Sequence, residues 1–129
     1  MNISTHISLE EATMSPTALR LGIKNEPNEA EYTAMVMVAE YCFEPLRKWY
    51  GKPIKINSFF RCKALNDAVK GSKTSQHVTG HAIDMSAGSK EENKKLFEWA
   101  KDNLEFDQLI NEYNHSWLHI SYVPDKNRK

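Results

Sequence analysis

Four of the chain's five histidines, His77, His81, His115 and His119, fall within residues 77–119. The first opens a stretch whose residue types can do chemistry: Ser75-Gln-His77-Val-Thr-Gly80-His81-Ala-Ile-Asp84. A first-row ion such as zinc is held by neutral imidazoles and carboxylates in a fixed arrangement. His77 lies just before an expected strand and Asp84 lies within it, with Gly80 between them free to take the positive φ that folds the loop back. By strand parity Asp84 shares a face with the small Ala82, while Ile83 and Met85 face the core. A carboxylate in so apolar a strand is costly to bury unless a partner such as a cation compensates. A third ligand is available in Trp117-Leu-His119-Ile-Ser121-Tyr122, where Leu118, Ile120 and Tyr122 make the core face and His119 the other. Two histidines and an aspartate would leave a zinc position open to water, as a catalytic site requires. The same residues also fit an ordinary reading, in which each histidine is a surface or hydrogen-bonded residue and the H-x6-D spacing is accidental.

These residues need elements to position them. Ser8 and Glu11 form a capping-box pattern that starts a short helix ending near Thr13. Residues 14–27, punctuated by Pro16, Gly22 and Pro27, read as a loop. Asn28 caps a long helix on which Met35, Val38, Ala39, Cys42, Leu46 and Trp49 recur at helical spacing. Pro45 should kink or divide that helix, and Gly51 and Pro53 end it. Ile54–Ser58 alternates apolar and polar as a half-buried strand does. Residues 63–69 read as a short helix, Lys70–Ser72 as a turn, and His81–Ser86 as a second strand. A helix capped by Ser89 runs to about Asn103, its inner face made by Leu96, Phe97 and Ala100. Strands near Phe106–Glu112 and Trp117–Val123 complete an α+β fold with a small, largely antiparallel sheet and flanking helices.

Composition narrows the function. A chain of 129 residues with 40% apolar and 26% charged content supports a single domain spanning 1–129. Seventeen basic residues balance seventeen acidic ones, so no net charge draws the chain to nucleic acid or to an anionic membrane. No apolar run is long enough to span a bilayer, so membrane insertion is not expected. The segment MNISTHISLEEAT lacks the basic and apolar regions of a signal peptide, which implies synthesis in the cytoplasm. Cys42 and Cys62 are too few for a disulfide framework and read as two free, buried or half-buried thiols.

The segment SQHVTGHAID matches the S-x-H-x-x-G-x-A-x-D signature of the M15 zinc peptidases, which include D-alanyl-D-alanine carboxypeptidases and phage endolysins. SWLHISY resembles that family's W-x-H element, and NSFFRCKALNDAVKGSKTSQH its approach to the first ligand. SLEEATMSPTALRLGI and EPLR resemble the small phage-type branch, so the likeness covers nearly the whole chain. The resemblance implies a hedgehog and D-Ala-D-Ala peptidase-like fold and a single zinc ion held by His77, Asp84 and His119. Many members carry a general-base glutamate three residues before the last histidine, where this chain has Ser116. Glu112 is the best replacement, and hedgehog zinc domains, with a glutamate slightly farther upstream, resemble this arrangement. Glu112 and His115 also form an E-x-x-H pattern, but the intact W-x-H favours His119 as ligand, leaving His115 and His81 as polar residues near the rim. Arg61 stands where the family's substrate-contacting arginine stands, and Ser75 and Gln108 are further candidates for substrate contact.

The implied activity is zinc-assisted amide hydrolysis of peptidoglycan stem peptides, by a monomer that reaches the cell wall after holin-type release or as a phage product. The departure at Ser116 keeps a second reading open: a non-catalytic, zinc-containing cell-wall-binding or virion-associated module on the same fold.

Overall fold

The computed structural model describes residues 2–125 and 127. A two-stranded antiparallel hairpin comes first, β1 (Asn2–Ser4) and β2 (Ile7–Ser8), followed by α1 (Leu9–Thr13). The Ser8 side chain accepts from the Glu11 N–H at 3.0 Å and Glu11 returns a bond to the Ser8 N–H, a complete capping box. The hairpin is absent from the sequence reading because two- and three-residue strands carry too few alternations to show a period.

Residues 16–21 correct the expectation of a continuous loop, because they form a helix, α2 (Pro16–Leu21). The residues that looked like loop punctuation are its two ends. Ser15 caps it, Pro16 occupies the first turn where its missing N–H costs nothing, and Gly22 ends it in the left-handed conformation. Asn28 caps α3 (Glu29–Val38) through a second capping box with Glu31. The long helix is then divided. A π-helical turn over Ala39–Phe43 lies between α3 and α4 (Glu44–Tyr50), with Pro45 in the first turn of α4, where the wider turn before it accommodates the missing donor.

β3 (Lys55–Ser58), α5 (Lys63–Ala68), β4 (Ala82–Ser86), α6 (Lys90–Asn103), β5 (Gln108–Glu112) and β6 (Trp117–Ser121) follow. The four strands make one antiparallel sheet in the order β3-β4-β6-β5, the α+β architecture expected. Its apolar face presents Ile83 and Met85 of β4 with Leu118 and Ile120 of β6, all fully buried. Against them lie Met35, Val38, Ala39, Cys42 and Leu46 of the divided helix and Leu96 and Ala100 of α6. Each large side chain removed from water in this layer contributes about 1.5–3 kcal/mol. No helix of the described residues is long and apolar enough to cross a membrane.

Candidate metal centre

The opposite face of the sheet carries the polar residues. Cross-strand register pairs Ser58 with Asp84, Asp84 with His119 and His119 with Ile110, so all four share that face. The β4–β6 ladder therefore sets Asp84 beside His119, with His119 Nδ1 2.9 Å from Asp84 Oδ1. His77 arrives from the loop before β4, and its Nε2 lies 3.2 Å from Asp84 Oδ2. One donor atom from each of the three residues lies within 4.8 Å of the others. The two imidazole rings stand nearly edge to face, with centroids 5.2 Å apart.

His77 is 2% exposed, and its Nδ1 lies 2.8 Å from the Phe59 carbonyl. A carbonyl can only accept, so Nδ1 carries the proton and a neutral His77 turns its Nε2 lone pair toward a carboxylate oxygen. Two acceptors face one another there, and a shared cation resolves the conflict. That is the observation by which the residues fit a metal ion: the second ring nitrogen is fixed by a backbone carbonyl, as metal-ligating histidines usually are. Burial raises the Asp84 carboxyl pKa, but the bond from His119 and the proximity of the His77 imidazole outweigh it and hold the group down at about 2. Asp84 is thus an anion at any ordinary pH.

Gly80 makes the approach of His77 possible. Its φ is +82°, and a Cβ at this position would come within 2.5 Å of the Glu31 carbonyl oxygen on α3. The loop is further pinned by His81 N–H to the Gln76 carbonyl at 2.9 Å and by Arg61 N–H to the His77 carbonyl at 3.2 Å.

The Arg61 guanidinium donates to Ser75 Oγ at 3.3 Å, and Ser75 Oγ also accepts from the His77 N–H. Ser75 therefore ties the arginine to the ligand loop. Arg61 Nε is buried without a hydrogen-bond partner among the described residues, and burial lowers the guanidinium pKa while Asp84 opposes that shift. Gln108 pairs with Ser121 on the face that carries Asp84 and His119, and its N–H donates to Ser121 Oγ at 2.9 Å. Glu112 ends β5 on the same face, paired with Trp117 and diagonal to His119. Diagonal neighbours on one face stand about 7 Å apart at Cβ, within reach of a glutamate side chain.

The structure keeps the other two histidines out of the group. His115 lies in the turn after Glu112 with its ring edge-on to Phe97 of α6, 5.7 Å between centroids, and so faces the helix. His81 Nδ1 is 2.7 Å from Thr79 Oγ1, and burial lowers its pKa. Both cysteines are free. Cys42 is buried, which pushes its thiol up to about 12, and Cys62 is half-buried at the start of α5.

Several residues that position the site escaped the sequence reading. The Asn25 amide donates to the Thr13 and Phe60 carbonyls and accepts the Cys62 N–H at 2.7 Å, clamping the strand end that bears Phe59 and Arg61. Gln76 Nε2 donates to Asp107 at 2.8 Å, linking the ligand loop to the entry of β5. Asn93 sits on the buried stripe of α6 with Leu96 and Ala100. A polar residue on an apolar stripe is a legible signal; for Asn25 and Gln76, both in loops, no local pattern exists to find them. A groove of about 520 Å³ lined by the stacked Trp49 and Trp99 contains none of His77, Asp84 and His119.

The family model for peptidase M15 matches residues 5–121. The chain belongs to that family. It is also 39% identical over 57 residues to the zinc D-Ala-D-Ala carboxypeptidase of Streptomyces albus G, a match covering 43% of this chain and 22% of that relative. The chain thus spans about a fifth of the length of the curated relative that it matches. The His-Asp-His group is of a kind that suits zinc.

Proposed function

We propose that this M15 chain is a zinc-dependent hydrolase of the peptide stems of bacterial peptidoglycan, with residues 1–129 acting as one domain and as a monomer. The observation that carries the reading is the convergence of His77, Asp84 and His119 donor atoms within 4.8 Å on the open face of the sheet. The name of the Streptomyces relative supports the ion and the substrate class.

His77, Asp84 and His119 would hold the ion. When bound, zinc supplies Lewis-acid polarisation of the scissile carbonyl and an acidified water. Glu112 accepts a proton from the attacking water at its carboxylate and passes it to the leaving nitrogen. Arg61, steadied by Ser75, binds a substrate carboxylate or the charge that develops on the carbonyl oxygen. Gln108, farther along β5, contributes a polar contact to the bound peptide. The protein acts on the cell wall, after holin-type release or as a phage product, without membrane insertion or a nucleic-acid partner.

The test is mass spectrometry of muropeptides digested by zinc-loaded protein, with and without a chelator, for the parent chain and for Glu112→Gln. Cleavage abolished by the chelator and sharply reduced, to a measurable residual rate, by Glu112→Gln is the expected result. Cleavage that survives chelation overturns the metal, and unchanged cleavage by the variant overturns the base. Ser116, standing where many members have the glutamate, favours one alternative, a zinc-containing binding module without hydrolysis. Zinc and cell-wall binding by a parent chain that cleaves nothing would select that reading.

A further inference from the structure

Asn93 is 1% exposed and stands on the side of α6 that faces the core. A buried amide in an apolar layer is costly unless each of its groups is bonded. Its Oδ1 accepts the Ala87 N–H at 2.7 Å. Its Nδ2 donates to the carbonyls of His115 at 2.8 Å and Ser116 at 3.0 Å, with Ser86 Oγ at 3.2 Å. Only one orientation of the amide serves these partners, because the backbone N–H needs an acceptor and the two carbonyls need a donor. No other side chain of this size offers both ends, so the site specifies asparagine.

The bonds reach across to the β5–β6 connection, and that connection is unusual. Tyr113, Asn114 and His115 all have left-handed backbone, with φ of 47°, 55° and 64°. Asparagine and histidine are among the residues found most often in this region, whereas the bulky tyrosine adopts it at a cost, and a run of three persists only where the surroundings hold it. The turn closes on Glu112, whose carbonyl accepts the Ser116 N–H at 2.9 Å, and Ser116 Oγ donates to the Tyr113 carbonyl at 2.8 Å.

We propose that Asn93 is a positioning residue for Glu112: its buried amide fixes the strained Tyr113–Ser116 turn from the helix side and thereby holds the Glu112 carboxylate over the metal-binding face. This rests on the reading of Glu112 as the group that moves the proton. Asn93 itself stays on the other side of the sheet and touches neither metal nor substrate.

The test is a double-mutant cycle of Asn93→Asp and Glu112→Gln, assayed on purified muropeptides together with zinc affinity. Asn93→Asp keeps the acceptor for Ala87 and sets a carboxylate oxygen against two carbonyls, which releases the turn. Misplacing a reacting group by an ångström costs roughly a hundredfold, so kcat should fall about ten- to a hundredfold with KM and zinc affinity nearly unchanged. Groups acting as a unit are non-additive, so in the Glu112→Gln background the same change should cost less than about twofold more. A folded Asn93→Asp protein with undiminished kcat overturns the proposal. So does a loss repeated in full without Glu112, or one matched by lost zinc binding.

Should thermal melting show that Asn93→Asp does not fold, Asn93→Ser replaces it in the cycle, since it leaves room for water to meet the carbonyls. If the parent chain cleaves nothing, amide hydrogen exchange at Ser116 in zinc-loaded protein decides the hold. Faster exchange in the variant, with β6 unchanged, supports it, and unaltered exchange overturns it.

Discussion

The two faces of the four-stranded sheet are built from residues adjacent in sequence and do opposite work. Ile83 and Met85 are sealed beneath the helices, while Asp84 between them carries a charge to the other face. Leu118 and Ile120 flank His119 in the same way. The apolar face gains stability from burial; the polar face spends some of it by setting an imidazole lone pair against a carboxylate. The backbone ladder that the apolar face stabilises is what brings Asp84 and His119 together. The ladder alone therefore sets Asp84 beside His119, whereas His77 in its loop and Glu112 at the strand end before a turn depend on local devices.

The comparison breaks most sharply if the polar face is emptied. Asp84→Ala removes the anion that both imidazoles face, and zinc affinity and cleavage should each fall by more than about a thousandfold, some 4 kcal/mol. Calorimetric titration with zinc measures this directly. Zinc that binds only the native state raises the melting temperature of the parent chain, and Asp84→Ala should abolish that rise. A variant that still gains stability from zinc would mean that the ion sits elsewhere.

The reverse test acts one residue away on the other face. Leu118→Ala opens a cavity in a fully buried layer and should cost about 3 kcal/mol of stability, within the usual range for such truncations. Denaturant unfolding measures the loss. Below the transition, where the protein remains folded, its zinc affinity should match that of the parent chain. If Leu118→Ala and Asp84→Ala weaken zinc binding equally, the division of labour between the faces is wrong.

Much of this division is legible in the sequence because strand parity is a strict alternation. Once His81–Ser86 and Trp117–Val123 are read as strands, Asp84 and His119 must leave the core side, and Gly80 marks the fold-back before them. The divided helix is legible for a similar reason, since Pro45 has no donor to offer. Less visible are features set by partners distant in the chain. Nothing near Asn25 announces that it clamps Phe60 and Cys62. The left-handed run Tyr113–His115 contains no glycine to signal it. In α2 the signals were present, but Ser15, Pro16 and Gly22 serve equally well as turn residues and as helix ends, and six residues are too few for periodicity to decide.

The loop-borne half of the site can be probed at Gly80. An alanine there meets both a left-handed φ and the Glu31 carbonyl at 2.5 Å, so α3 and the loop must separate. The expected loss is about 2 kcal/mol from backbone strain and overpacking together. Because the displaced segment carries His77, zinc affinity should fall as well, unlike the result for Leu118→Ala. Thermal melting and zinc titration on the same samples distinguish the two: a Gly80→Ala protein that loses stability but keeps its zinc affinity would show His77 to be held independently of this loop.

The smallest effect sharpens the comparison from outside the sheet. Glu44 at the start of α4 accepts from Ser4 Oγ at 2.6 Å and from the His6 N–H at 2.8 Å, and its other oxygen lies 2.6 Å from His6 Nδ1, pinning the β1–β2 hairpin to the divided helix. Burial raises the Glu44 carboxyl pKa, but the bonds from His6 and Ser4 bring it below its ordinary value. A carboxylate whose folded pKa is depressed stabilises the fold above its unfolded pKa and loses that contribution as pH falls through the folded one. Stability should therefore decline as the solution is acidified below the ordinary carboxylate range. Glu44→Gln should lower stability near neutrality by about 1.5 kcal/mol, the lower end for hydrogen bonds to a charged group, and flatten that acid dependence. Zinc affinity at neutral pH should not move, since the pin lies beyond the apolar layer from His77, Asp84 and His119. Urea unfolding at a series of pH values checks the first claim, and a parallel slope for the variant and the parent chain would assign the acid loss to other carboxylates.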